Sequence, residues 1–209
     1  VTSKLPGALL RFGRGNVDTD VRATNNESRW RMKAATMLKD EFYRRTGQPF
    51  VDFNTQATHS AAAATVFGAG NCGEHASTTS VYHSRRLEDQ ETVHYVSGQG
   101  LGHAWAQARL PGAADSGEGE RTVVMDAWAN GPAVLAPDAR FAKQRGKARS
   151  VMHFDSSSGR DARIATNDLV LETRAQGPAE IERRIRSGAT LAARFTAFVD
   201  SRLPSGIGD

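Results

Sequence analysis

His103-Ala104-Trp105-Ala106-Gln107-Ala108-Arg109 alternates large polar or aromatic side chains with alanine, a period of two that suits a strand and not a helix. A loop of small, polar and acidic residues follows, Pro111 to Gly119. Then comes Thr122-Val123-Val124-Met125-Asp126-Ala127-Trp128, which reads as a second strand. Upstream, Thr92 to Val96 is another run of β-formers, joined to His103 by the turn-like Gly98-Gln99-Gly100-Leu101-Gly102. These runs make an antiparallel meander. Before it, Trp30, Ala34, Met37, Leu38, Glu41 and Phe42 recur at helical spacing. Asn26 or Ser28 can cap that helix, and Gly47 and Pro49 end it. Phe50 to Phe53 reads as a short extended piece. Thr58 to Thr65 is an Ala-rich helix that stops at Gly68-Ala69-Gly70. Gly177-Pro178 opens a last helix with Ile181, Ile185, Ala192, Phe195 and Val199 on one face. Helices, then a meander, then a helix give the α+β class.

The chain has 209 residues, of which 39% are hydrophobic and 24% charged, enough apolar material for a core and too much for wholesale disorder. The expected organisation is a flexible Gly- and Arg-rich arm over 1–24, a single catalytic domain over 25–203 and a frayed tail over 204–209. Ser156-Ser157-Ser158-Gly159 reads as a mobile loop. No apolar run approaches the roughly 20 residues that span a bilayer. Val1 to Pro6 lacks the basic-then-apolar layout of a signal peptide, and the absence of an opening methionine reads as a piece of a longer chain. The net charge is +4 and the pI about 9.6, from 22 Arg and 5 Lys interspersed with acids. That pattern favours a mixed solvated surface over nucleic-acid binding. The basic stretch carrying Arg140, Lys143, Lys147 and Arg149 is the candidate contact for an acidic partner.

The single cysteine, Cys72, excludes an internal disulfide and a Cys-rich zinc module. It stands in Asn71-Cys72-Gly73-Glu74-His75-Ala76, where Asn71 is a good N-cap and Glu74 sits where a capping box needs it. A helix expected to run to about Ser84 therefore starts at the cysteine. Its macrodipole and free N–H groups favour negative charge on the sulfur and on an oxyanion beside it. The flanking glycines, Gly73 among them, permit close approach of a substrate backbone. The bland alternative is a small buried apolar side chain.

A thiol nucleophile needs a base, and the base an orienting partner. The candidates are His59, His75, His83, His94, His103 and His153. His75 lies a turn along the helix of Cys72, with no evident acidic partner. His103 has one. It and Asp126 lie nearly symmetrically about the Pro111–Gly119 loop, so a simple hairpin sets them beside each other on neighbouring strands. Asp126 ends an apolar run, where a charge is costly unless paired. Trp105 and Trp128 each follow a proposed partner at period two and share its sheet face, as cleft walls or as core.

Gly70-Asn71-Cys72-Gly73-Glu74-His75-Ala76, Gly102-His103-Ala104-Trp105 and Met125-Asp126-Ala127-Trp128 together resemble the transglutaminase-like branch of the papain-like cysteine enzymes, and most nearly the AvrPphE/HopX family of bacterial type III effectors. The resemblance covers Cys72 to Asp126. It implies a nucleophile helix packed on an antiparallel sheet with flanking helices. It also implies Cys72 as nucleophile, His103 as general base and Asp126 as its orienter. By the same resemblance the protein is a secreted virulence effector or toxin acting on a protein substrate in the target-cell cytoplasm, with an acidic partner or an activating host factor there and with no cofactor or metal. The glutamine that precedes the cysteine in papain is absent, since that stretch reads Val66-Phe67-Gly68-Ala69. Oxyanion help must then come from the Cys72 N–H and a side chain such as Asn71, Gln99, Trp105 or Trp128, and His75 is a further substrate-channel candidate. The triad serves glutamine deamidation, transglutamination and proteolysis alike. The first two are favoured on the motifs, with a cysteine protease as runner-up. Outside this class stand a zinc site built from Cys72, His75, His103 and Asp126, and a non-catalytic binding module.

Overall fold

The structure is a computed structural model that describes residues 8–98, 100–139 and 147–200, with side chains to 196. In chain order the elements are β1 (Gly13–Arg14), α1 (Asp18–Ala23), α2 (Glu27–Arg45), α3 (Phe53–Phe67), β2 (Ala69–Gly70), α4 (Cys72–His83), β3 (Thr92–Gly98), β4 (His103–Arg109), β5 (Thr122–Met125), β6 (Val134–Leu135), β7 (Ala148–Phe154), α5 (Ser156–Ala175) and α6 (Pro178–Asp200). Strands β6-β5-β4-β3-β7 form one antiparallel sheet, and β1 pairs with β2 in parallel. The class is α+β, as the sequence indicates.

The helix starts follow local chemistry. The Asp52 side chain accepts from the Thr55 N–H and opens α3, and Gly68, at φ +70°, closes it. Helix α4 begins with the complete capping box read from the sequence: the Asn71 side chain accepts from the Gly73 and Glu74 N–H groups, and Glu74 accepts from the Asn71 N–H. Helix α4 is not amphipathic, and its residues from Glu74 to Val81 are all buried. Ala61 to Ala64 of α3 are fully covered too. Two helices of small side chains can thus lie close together, one behind the other, on the sheet.

The apolar residues form three clusters. Ala34, Leu38, Phe42, Phe67, Val170 and Ile185 bind the outer helices α2, α3, α5 and α6 to each other. Helix α6 crosses α2 closely: a Cβ on Gly188 would lie 2.2 Å from the Trp30 carbonyl oxygen, so only glycine fits. Ala57, Val81, Val93, Ala106, Met125 and Phe154 join the helices to one face of the sheet. Val96, Trp105, Val124, Ala136 and Ala139 cover the other face. That buried area, at roughly 25 cal/mol per Å², is the main stabilising term.

Several expectations need correction. Residues 8–24 are not a flexible arm: Leu10 and Val21 are buried, β1 pairs with β2, and α1 packs on α2. The apolar residues of this segment are too widely spaced to show a period, so the sequence hides its packing. Helix α3 begins at Phe53, several residues ahead of the Ala-rich run. The second meander strand stops at Met125, before Asp126. Ser156-Ser157-Ser158-Gly159 is the first turn of α5, because Asp155 and Ser158 form a capping box. Gly159 packs there against Ser84. Strand β7 lies in the basic region that showed no β pattern. Residues 204–209 and Gln99, Arg140 and Lys143 lie outside the described residues. Among the described residues, no helix is long and apolar enough to cross a membrane.

Candidate active site

Cys72 is the first residue of α4, and the cap places its sulfur at the end of the sheet. The thiol sits 4.0 Å from the carbonyl oxygen of Gly102, the residue that precedes β4. Gly102 has φ +58°, a left-handed conformation that glycine adopts without strain. This turn delivers His103 to the thiol as the first residue of β4. Cys72 lines a cavity of about 620 Å³ with Leu101, His103, Asp126, Trp128 and Val134. Thiol, imidazole and carboxylate thus open into one cleft.

His103 Nε2 and Asp126 Oδ2 are 2.7 Å apart. The other Asp126 oxygen accepts from the Ala129 N–H at 3.0 Å, which fixes the carboxylate in the turn after β5. The hairpin register differs from a symmetric guess. Ala106 faces Met125 and Ala108 faces Val123, so extrapolation sets Asp126 opposite Trp105 and His103 one diagonal away. The slip is of two residues, an even number, so both side chains keep the same face and meet across the diagonal. With Nε2 on Asp126, Nδ1 is the nitrogen left for the thiol.

Burial disfavours a charged His103, yet hydrogen bonds to Asp126 and to Cys72, with the negative charge of both, outweigh it and raise the ring to about 9. Two indoles flank the ring: Trp105 stacks at 5.9 Å, and Trp128 lies tilted at 5.0 Å. Their faces also favour the imidazolium.

The N-terminal segment completes the wall. Arg14 forks onto Asp20 at 2.8 and 2.7 Å and donates to the Trp128 carbonyl at 3.1 Å. Asn16 Oδ1 accepts from Trp128 Nε1 at 3.1 Å. The Arg14 hydrogen bond holds the Asp20 carboxyl down to about 2, against the opposing effect of burial. Sequence reasoning missed Arg14, Asn16 and Asp20. The available signal was a run of polar residues in a stretch whose glycines suggested looseness.

The other candidates separate. His75 is buried and lines none of the described cavities. Its ring approaches the Gly13 backbone outside strict hydrogen-bond geometry, and burial above all pushes it down to about 4. It packs inside the helix layer, apart from the two cavities beside Cys72. Asn71 is committed to the cap through Oδ1, the Gly73 N–H donates to it, and Trp128 Nε1 is held by Asn16. The Gly73 N–H and the Trp128 indole N–H are therefore engaged, and only a rearrangement would turn them to an oxyanion. Trp105 is almost fully buried and serves as core as well as wall. His59 and His83 are buried or half-buried away from the cleft, and His94 stacks on His153 at 5.2 Å on β3 and β7. Among the described residues, no three His, Cys, Asp or Glu side chains are grouped to hold a metal ion, so the zinc alternative loses its ligand set. Lys147 and Arg149 are exposed at the start of β7.

No protein-family model, curated protein or solved structure matches this chain.

Proposed function

We propose that the chain is a thiol-dependent acyl-transfer enzyme of papain-like, transglutaminase-like architecture that acts on protein substrates. The observation that carries this reading is the His103 Nε2–Asp126 Oδ2 contact of 2.7 Å, with the same ring hydrogen-bonded to Cys72. A carboxylate that holds one tautomer, an imidazole that moves a proton and a thiol at a cleft mouth are the parts a covalent acyl enzyme needs.

The preferred donor is a glutamine carboxamide. The Cys72 proton passes first to His103 Nδ1, where Asp126 favours the imidazolium; the sulfur then adds to the carbonyl carbon, and the C=O π pair moves to oxygen. Collapse restores the carbonyl, breaks the C–N bond and releases ammonia carrying the His103 proton, which leaves a thioester on Cys72. Water or a primary amine then attacks and gives a proton to His103. The C–S bond breaks and the sulfur recovers that proton. Water yields glutamate; an amine yields a crosslink. With a peptide bond as donor the same steps give proteolysis. The resemblance of the three motifs to AvrPphE/HopX effectors extends the proposal to a secreted toxin or effector that works in a target cell. Lys147 and Arg149 are then offered to an acidic partner.

Mass spectrometry of target-cell proteins exposed to the chain and to Cys72→Ala tests this reading. Cys72-dependent conversion of glutamine to glutamate, or new crosslinks, is expected. New termini would transfer the assignment to a protease. Identical biological activity in Cys72→Ala would establish a non-catalytic module.

A further inference from the structure

Cys72 stands between two cavities. Besides the cleft with His103, a polar cavity of about 430 Å³ opens on its other side, lined by Lys39, Tyr43, Asn71, Gly73, Glu74 and Tyr95 among others. The register explains the division. Tyr95 pairs with Ala106, an odd number of residues from His103, so the two side chains approach the helix start from opposite faces of the sheet.

We propose that Tyr95 is a catalytic residue: its phenolic O–H donates to the oxyanion that forms when Cys72 adds to a substrate carbonyl, alongside the Cys72 backbone N–H. This rests on the acyl-transfer reading and adds a donor to it, since the Trp128 indole N–H expected from the sequence is held by Asn16. The Tyr95 hydroxyl lies 3.2 Å from where a Cβ on Gly73 would stand, the position next to the nucleophile. No acceptor among the described residues engages that hydroxyl, and none engages the Cys72 N–H. Gly73 carries no side chain, which leaves the gap between phenol and thiol open. The phenol also keeps its proton. Burial first, then the negative charges of Cys72, Glu74 and Tyr43, push it up to about 12, so it remains a donor throughout the working pH range. The oxyanion would then point into the polar cavity and the leaving group toward His103 in the larger one.

Two reactions of the full chain separate this step from the rest. Iodoacetamide alkylates the sulfur at a saturated carbon and expels iodide, with no oxyanion. p-Nitrophenyl acetate acylates it through a tetrahedral oxyanion and expels nitrophenolate. Tyr95→Phe removes one oxygen and should leave alkylation within about twofold while acylation falls on the order of 10²-fold, the usual loss for one oxyanion donor. Acylation that stays within about twofold overturns the proposal, and so does an equal fall in both reactions, which would make Tyr95 a packing residue that positions the thiol. A wild-type chain that is alkylated but never acylated defeats the acyl-transfer reading itself, a result distinct from the failure of Tyr95 alone.

Discussion

The first turn of α4 and the first residue of β4 each bring a histidine to the neighbourhood of Cys72, with opposite results. His75 is the neighbour in sequence, on the helix of the thiol. It is buried without a carboxylate, and its ring is held neutral, down to about 4. His103 is distant in sequence. It meets Asp126 and Cys72, and its ring is raised to about 9. Both rings are desolvated, His75 the more deeply, but burial lowers any histidine and does not by itself give opposite results. The partner does: a low-dielectric site weakens an imidazolium that stands alone and strengthens one that is paired. Proximity in sequence to the thiol is thus a poor guide to the ring that pairs with it, and the strand register is a better one.

The largest effect should come from exchanging the two histidines' fates. His103→Ala should lower kcat/KM by at least about 10⁴-fold, because a base that acts as a unit with its nucleophile takes most of the rate with it. His75→Leu should change kcat/KM by less than about threefold, and unfolding in urea should show little loss of stability, since an apolar group of similar size replaces a poorly bonded polar ring. The comparison breaks if the two variants lose activity alike.

Asp126→Asn comes next, and it sharpens the comparison by turning His103 into a second His75. Activity should drop on the order of 10³-fold with the fold intact, as the amide no longer fixes the tautomer. In NMR titrations the His103 ring of the wild type should have its midpoint near 9, and that midpoint should fall in the variant. The sign of the stability change follows from the raised value. The pair's contribution is complete below the unfolded histidine value of about 6.5 and is lost as pH rises through about 9. The stability gap between wild type and Asp126→Asn should therefore be widest near about pH 6 and shrink toward about pH 10. A gap that widens with pH would mean that His103 is neutral in the native state.

The two regions were unequally legible. The capping box at Asn71 and Glu74 is local, and a local hydrogen-bond pattern can be read from a few letters. The meander is nearly local, since alternation and a short loop fix which strands pair; only the hairpin register slipped, by an even step that kept the faces. What stayed hidden is what distant segments supply. Strand β7 pairs with β3 across more than fifty residues, and its sequence Ala148–Phe154 mixes charge and apolar side chains as an edge strand does. Tyr95 reads simply as a β-former in Thr92 to Val96. Nothing in that run tells that its hydroxyl meets Gly73. Arg14 reads as one of many arginines in a loose start, although it reaches Trp128 from the far end of the chain.

The smallest of the expected effects concerns that last contact. Arg14 touches neither Cys72 nor His103. It acts through Trp128: its fork on Asp20 fixes the guanidinium, one nitrogen donates to the Trp128 carbonyl, and the same group lies 5.7 Å from the indole centroid. Trp128 in turn walls the His103 ring, and the Asp126–Ala129 turn that carries it also orients the Asp126 carboxylate. Loss of the fork should let this turn relax by a fraction of an ångström, and small displacements of reacting groups are costly. Arg14→Ala should therefore lower kcat/KM by about tenfold, well short of the loss in Asp126→Asn, because the His103–Asp126 contact itself survives. Arg14→Lys should not restore it, since a point charge cannot hold Asp20 in two places and the Trp128 carbonyl at once. The His103 titration midpoint distinguishes positioning from general loosening. In Arg14→Ala it should remain far above that of Asp126→Asn. A midpoint that collapses as far in both variants would mean that the N-terminal segment holds the ion pair itself together, and not merely the wall beside it.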